Sequence, residues 1–283
     1  MRILFLVSCI FMSAHFVVAQ TTDKQELYTA HNKGKFFILW GGNRENFSKS
    51  DIHFRGNGYD FTIEEAKAHD KPKGWHADYF NPMNMTIPQT NLKLGYYLTD
   101  HYNISLSIDH MKYVMTQFQT ASVDGYINLP ESEAGAVFNG VYNHQLTELT
   151  REFLQFEHTD GLNYVHTELS RVDDFSKYLG IHNTDIFQVN ITEGLGGGFL
   201  FPKTNSTLLG KQRNDAFHVA GFGLSAKAGL NLTFFKHFFI QGELKGGYIH
   251  MGDIRTTKSS VDKASQHFYF FERIVAIGGI FYL

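Results

Sequence analysis

The residues with the most chemical potential fall into two groups. Lys93, Asp109, His166, Glu168, Lys227, Glu243 and Lys245 stand at alternate positions of segments with a two-residue period, on the face opposite the apolar side chains. A charge turned into the narrow interior of a closed sheet needs a partner. This set therefore reads either as a compensated ion-pair network that fills an interior or as a route for protons or a small solute. The second group lies in Phe156–Asn163, FEHTDGLN, where His158 has the right type for a general base and Asp160 and Asn163 follow it closely. No serine follows the histidine, and Thr159 points to the other face of a strand. The alternative for His158 is a surface histidine with no chemical role. The 15 histidines show no compact metal spacing such as HExxH. Gly194–Gly198 is not a nucleotide loop, because no helix start follows it. We expect no metal and no cofactor.

Three of these charges, Lys227, Glu243 and Lys245, belong to Phe217–Asp253, which sets the pattern for the rest of the chain. Phe222, Leu224, Ala226, Ala228, Leu230 and Leu232 alternate with Gly223, Ser225, Lys227, Gly229 and Asn231. After Phe234–His237 the alternation resumes with Phe238, Ile240, Leu244 and Tyr248 against Gln241, Glu243 and Lys245. This is a long antiparallel hairpin with one apolar face. A second hairpin follows from 91–98 and 104–115 about a Tyr-rich turn, and 185–201 and 267–283 add long strands. Lys35–Trp40 reads as a first strand, 43–50 as a polar loop, and Asn57-Gly58 as the turn of a tight hairpin. Residues 69–89, with three of the five prolines, and 118–149, with no sustained period, read as external loops. The stretch 153–175 is one strand with a bulge at Asp160-Gly161 or a hairpin turning there. Matching strand directions at the two short turns gives about ten strands, with twelve or eight as alternatives.

Residues 1–19 have the form of a secretory signal peptide, 20–33 of a polar lead-in, and 34–283 of the strand-rich domain. Cys9 lies in the expected leader, so the domain has no disulfide and depends on burial or a closed sheet. A formal charge of −3 gives no electrostatic support for a nucleic-acid partner. The 27 Phe and 14 Tyr exceed what one core needs and suit aromatic belts at a membrane's two surfaces.

The C-terminal residues Gly278, Phe281 and Leu283 resemble the outer-membrane β-signal, with Leu283 where an aromatic is commoner. With the leader and the alternation, the whole domain resembles a Gram-negative outer-membrane β-barrel. That resemblance implies an all-β, antiparallel, up-and-down transmembrane β-barrel, exported to the outer membrane as a monomer. Its implied partners are outer-membrane lipids, lipopolysaccharide, and the barrel assembly machinery acting through Gly278, Phe281 and Leu283. Parity puts His110 and Lys112 outward near the rim, where Lys112 meets lipopolysaccharide phosphates. FEHTDGLN resembles the active-site region of outer-membrane phospholipase A and lipid A deacylases, with His158 matching the base and Asp160 replacing the serine. The expected function is a structural or surface-binding barrel with a narrow, charge-filled lumen, acting through 69–89 and 118–149. The alternatives are a lipid acyl hydrolase centred on His158 and a small-solute pore.

Overall fold

The computed structural model describes residues 31–74, 89–214 and 216–283. The expected leader, most of the lead-in and residues 75–88 lie outside the described residues. No described helix is long and apolar enough to cross a membrane.

In chain order the first seven strands are β1 (Phe36–Phe47), β2 (Ser50–Gly56), β3 (Tyr59–Ala66), β4 (Ala68–Asp70), β5 (Thr90–Tyr97), β6 (Tyr102–Met115) and β7 (Thr120–Ile127). They are followed by β8 (Gly140–Glu148), β9 (Leu154–Asp174), β10 (Phe187–Leu200), β11 (Asn205–Leu208), β12 (Gly221–Phe234), β13 (Phe238–Arg255) and β14 (Lys263–Phe281). Among the described residues eight of these close a ring in the order β1, β5, β6, β9, β10, β12, β13, β14. Every neighbour is antiparallel, and β14 returns to β1 from Phe36↔Phe281 to Phe47↔Phe270. The chain is an all-β antiparallel barrel. Eight is the smaller of the two alternatives to ten. The hairpin about Asn57-Gly58 forms as expected, but β2 meets only Lys263–Gln266 at the tip of β14, whose remainder is taken by β1.

Both Phe36 and Phe281 lie at the end where the connections β5–β6, β9–β10 and β12–β13 turn. At the opposite end the long connections build a cap. There β2, β3, β7 and β8 continue one sheet outward from β14, β4 pairs the end of β6, and β11 pairs the start of β9. Alternation explains how the ring and the cap are filled. In β14 the side chains of Tyr269, Phe271, Val275 and Ile277 point out and are exposed, whereas Phe268, Phe270, Glu272 and Ile274 point in and are buried. Inside the ring the buried residues are largely polar. Inside the cap they are apolar, a core of Ile52, Phe54, Phe61, Tyr113, Phe153, Phe156, Phe268 and their neighbours.

Two segments differ from the sequence reading. Residues 118–149 are not a long external loop but β7, a 3-10 turn at Ala134–Phe138, and β8. The period was invisible because β8 is exposed on both faces and the pairing slips at Val123/Gly125. Residues 43–50 are not a loop either, since β1 runs on through Phe47 with Asn43 and Glu45 turned inward.

Candidate functional site: the barrel interior

The inward positions of β5, β6, β9, β12 and β13 bring all seven charged or titratable candidates together. Lys93 Nζ lies 2.7 Å from Glu168 and 3.5 Å from Glu243, and Lys227 Nζ lies 2.5 Å from Glu168 and 3.1 Å from Glu243. One step towards the cap, Lys245 Nζ is 2.5 Å from Asp109, with His166 Nε2 3.7 Å from the same carboxylate. All seven side chains are buried. Small residues make room for them. A Cβ at Gly196 would stand 2.8 Å from Ser225 Oγ and 3.0 Å from the His166 ring, a close approach that glycine within a strand permits.

Below this tier an amide ladder continues towards the short turns: Asn190 donates to Asn231, Asn231 to Gln241, and Gln241 to Glu243. Above it the Tyr164 ring stacks on His166 at 4.1 Å and its hydroxyl donates to the Gly223 carbonyl at 3.1 Å. The apolar cap begins there. The gap left beside Lys93, Asn91, Asp109, Glu243 and Lys245 is of the order of one water molecule. A charge network of this kind holds its members by mutual attraction in a low-dielectric interior, and each partner's loss strands another charge.

Reasoning from alternation missed Glu45 and Glu272, which face each other across β1 and β14 inside the ring. It also missed Asn43, Asn91 and Asp70 around them. Glu272 was legible in principle, as the one inward charge in HFYFFERIVAIGGIFYL. Glu45 was hidden in the segment read as a loop.

The second candidate group separates in the structure. His158 is not near the lipid surface: it is 0% exposed, with ring contacts to Phe156 at 4.9 Å and Tyr113 at 5.7 Å. The bulge at Gly161 does form, but β9 places Thr159, Asp160 and Gly161 opposite the single residue Lys112. An excess of two residues preserves parity, so His158 faces inward like His166. Its Nδ1 lies 3.0 Å from Thr204 Oγ1, a buried hydroxyl. Asp160 is at the surface, 3.7 Å from Lys203, and Asn163 Oδ1 lies 2.7 Å from His110 Nδ1. His110, expected outward at the rim, is covered and only 3% exposed. Ser170 donates to Glu168 within the polar tier. Among the described residues no three His, Cys, Asp or Glu side chains form a metal-ligating group.

No family model matches the sequence, and no curated protein matches it. The structure is similar to that of Ail, the attachment invasion locus protein of Yersinia pestis, at 12% identity over 88% of this chain and 99% of that one, with a TM-score of 0.32. It is similar to the outer membrane protein OprG of Pseudomonas aeruginosa at 10% identity over 90% and 99%, TM-score 0.36. It is also similar to Neisserial surface protein A at 8% identity over 87% and 97%, TM-score 0.33. The barrel assignment rests on the closed strand register and not on these likenesses.

Proposed function

We propose that the chain is an outer-membrane barrel with a sealed lumen, whose cap presents a binding surface. The observation that carries this reading is the filling of the interior: a buried ion-pair tier, then an apolar core, within a wall whose outer face is apolar. Leu106, Leu195 and Val275 are 56%, 70% and 69% exposed on that wall. Such a face is stable against hydrocarbon and not against water. Aromatic pairs border it at both ends, Phe36–Tyr96 and Phe187–Phe234 near the short turns and Tyr248–Tyr269 and Phe201–Phe217 near the cap. Short turns then face the periplasm and the cap faces outward. The export leader, recognition by the assembly machinery through Gly278, Phe281 and Leu283, and lipopolysaccharide contact near Lys112 belong to the same proposal.

For binding, the cap offers β8. Among the described residues this strand pairs only with β7, and Val141 and Leu146 are 83% and 74% exposed on it. An uncovered edge strand with few charges accepts an extended segment of another chain through main-chain hydrogen bonds. Selection of peptides from a random display library against the detergent-folded protein tests this. Peptides whose binding is lost in Val141→Asp/Leu146→Asp support it; selected peptides indifferent to that variant contradict it. The hydrolase alternative requires His158 to meet lipid, and its burial weighs against that. Release of fatty acid from lipid A or phospholipid by the folded protein, abolished in His158→Ala, would replace the binding reading.

A further inference from the structure

The charges of the interior balance in one part and not in another. Lys93 and Lys227 are matched by Glu168 and Glu243, and Lys245 by Asp109. Between this tier and the cap remain Glu45, Glu272 and Asp70. Glu45 and Glu272 are directly opposed in the β1–β14 register, on the same inward face, an arrangement that is destabilising for like charges. Lys245 is 3.8 Å from Glu272, but its close contact is with Asp109.

The amide nitrogens around these carboxylates are already directed at carboxylate oxygens. Asn43 Nδ2 donates to Glu272 Oε1 at 2.8 Å, and Asn91 Nδ2 donates to Glu272 Oε1 at 2.8 Å and to Asp109 Oδ1 at 2.7 Å. Gln89 Nε2 donates to Glu45 Oε2 and, at 2.5 Å, to Asp70 Oδ1. Five oxygens of this connected cluster are buried without a hydrogen bond: Glu45 Oε1, Asn43 Oδ1, Gln89 Oε1, Asn91 Oδ1, and Glu272 Oε2, whose neighbouring Lys245 ammonium stands off at 3.8 Å. Their residues are at most 2% exposed. A shared proton would relieve one pair of carboxylates and leave the three amide oxygens as they are. A hard divalent cation serves both kinds of oxygen, since carboxylates and amide carbonyls are the ligands calcium takes.

We propose that the cluster between the ion-pair tier and the cap is a binding site for a hard divalent cation, with calcium the best match, held by Glu45, Glu272, Asn43, Gln89 and Asn91. The ligand set is two carboxylates with three amide oxygens, which is why no group of acidic and histidine side chains alone marks it. This inference needs only that the cluster is buried, and it stands whichever surface function the cap performs.

The test uses the folded full-length barrel in detergent, stripped with EDTA and equilibrium-dialysed against calcium or magnesium. Metal analysis should find about one Ca2+ bound per chain, with a calcium-dependent rise in the unfolding midpoint. Glu45→Gln and Glu272→Gln should each weaken calcium binding by roughly tenfold or more, because affinity follows the ligand charge count. Glu64→Gln, at a half-buried carboxylate paired with Ser122 and His144 on the cap, should change nothing. Absence of bound calcium and magnesium in the wild-type protein overturns the proposal, whether or not the variants fold. Undiminished binding in the Glu45→Gln/Glu272→Gln double variant overturns it equally.

Discussion

Lys245 is the largest fully buried charged side chain, and its ammonium sits 2.5 Å from Asp109 with no solvent to replace that carboxylate. Lys245→Met removes one partner of a buried pair and leaves Asp109 stranded, a cost of about 3–5 kcal/mol. Urea unfolding of the detergent-folded variant should show the loss, and Asp109→Asn added to it should restore part of the stability. His158 makes a different demand. It lies in the cap, outside the ring whose outer face is apolar, and burial pushes its imidazole down to about 3, with the nearby Gln266 side chain opposing this only in part. The unfolded chain, with a histidine near 6.5, takes up a proton that the folded chain refuses. Stability from this group is therefore complete above about pH 6.5 and falls as pH drops towards 3, by about 1.4 kcal/mol per pH unit. Unfolding midpoints at neutral and mildly acid pH should converge in His158→Gln. An unchanged acid dependence would show that another group titrates.

At the scale of elements, β9 is the strand on which the two candidate sites diverge. Its two extra residues opposite Lys112, with Gly161 at φ +142°, let the strand carry His166 in the polar tier and His158 in the cap on the same inward face. Deleting Thr159 and Asp160 together should leave that register intact. Deleting Asp160 alone should turn Phe156 and His158 outward, losing several kcal/mol of packing, about 3–5 for the phenylalanine alone. Heat-dependent gel mobility separates the outcomes: the double deletion should still migrate as a folded barrel and the single deletion should not. Elements of this kind differ in how far the chain announces them. The β12–β13 hairpin was legible because each of its faces meets one medium, so side-chain type follows parity residue by residue. The β7–β8 hairpin was not, because on β8 only Tyr142 packs against the core, too little to impose an apolar face, and Gly125 at φ +126° breaks what alternation β7 has. The ion-pair residues could be assigned to the interior from parity alone. Which lysine meets which carboxylate depends on inter-strand register, such as Lys227↔Lys245 across β12 and β13, and no local pattern encodes it. The orientation of His158 turned on the number of inserted residues in a bulge, which the sequence locates but does not count.

For the whole molecule, the ring of eight strands is narrow enough for side chains to fill, and the cap is carried on the extended tips of β6, β9, β13 and β14 rather than hinged beside them. Reconstitution into planar bilayers should therefore give no steady conductance, even after truncating the exposed strand β8. Conductance steps in the intact protein would contradict the sealed interior, and their loss in Lys245→Met would locate the path along the ion-pair tier. The order of the two fillings matters as much as their presence. A hydrated ion that exchanged its way past Lys93, Glu168 and Lys227, and then past the carboxylates of Glu272 and Glu45, would next meet Phe54, Phe156 and Phe268, where nothing replaces its water. A hydrocarbon dissolved among those rings would next meet ammonium and carboxylate groups that admit no oil. The barrel thus behaves as two immiscible solvents stacked in one tube, and a traveller soluble in either is turned back at their boundary beneath Tyr164.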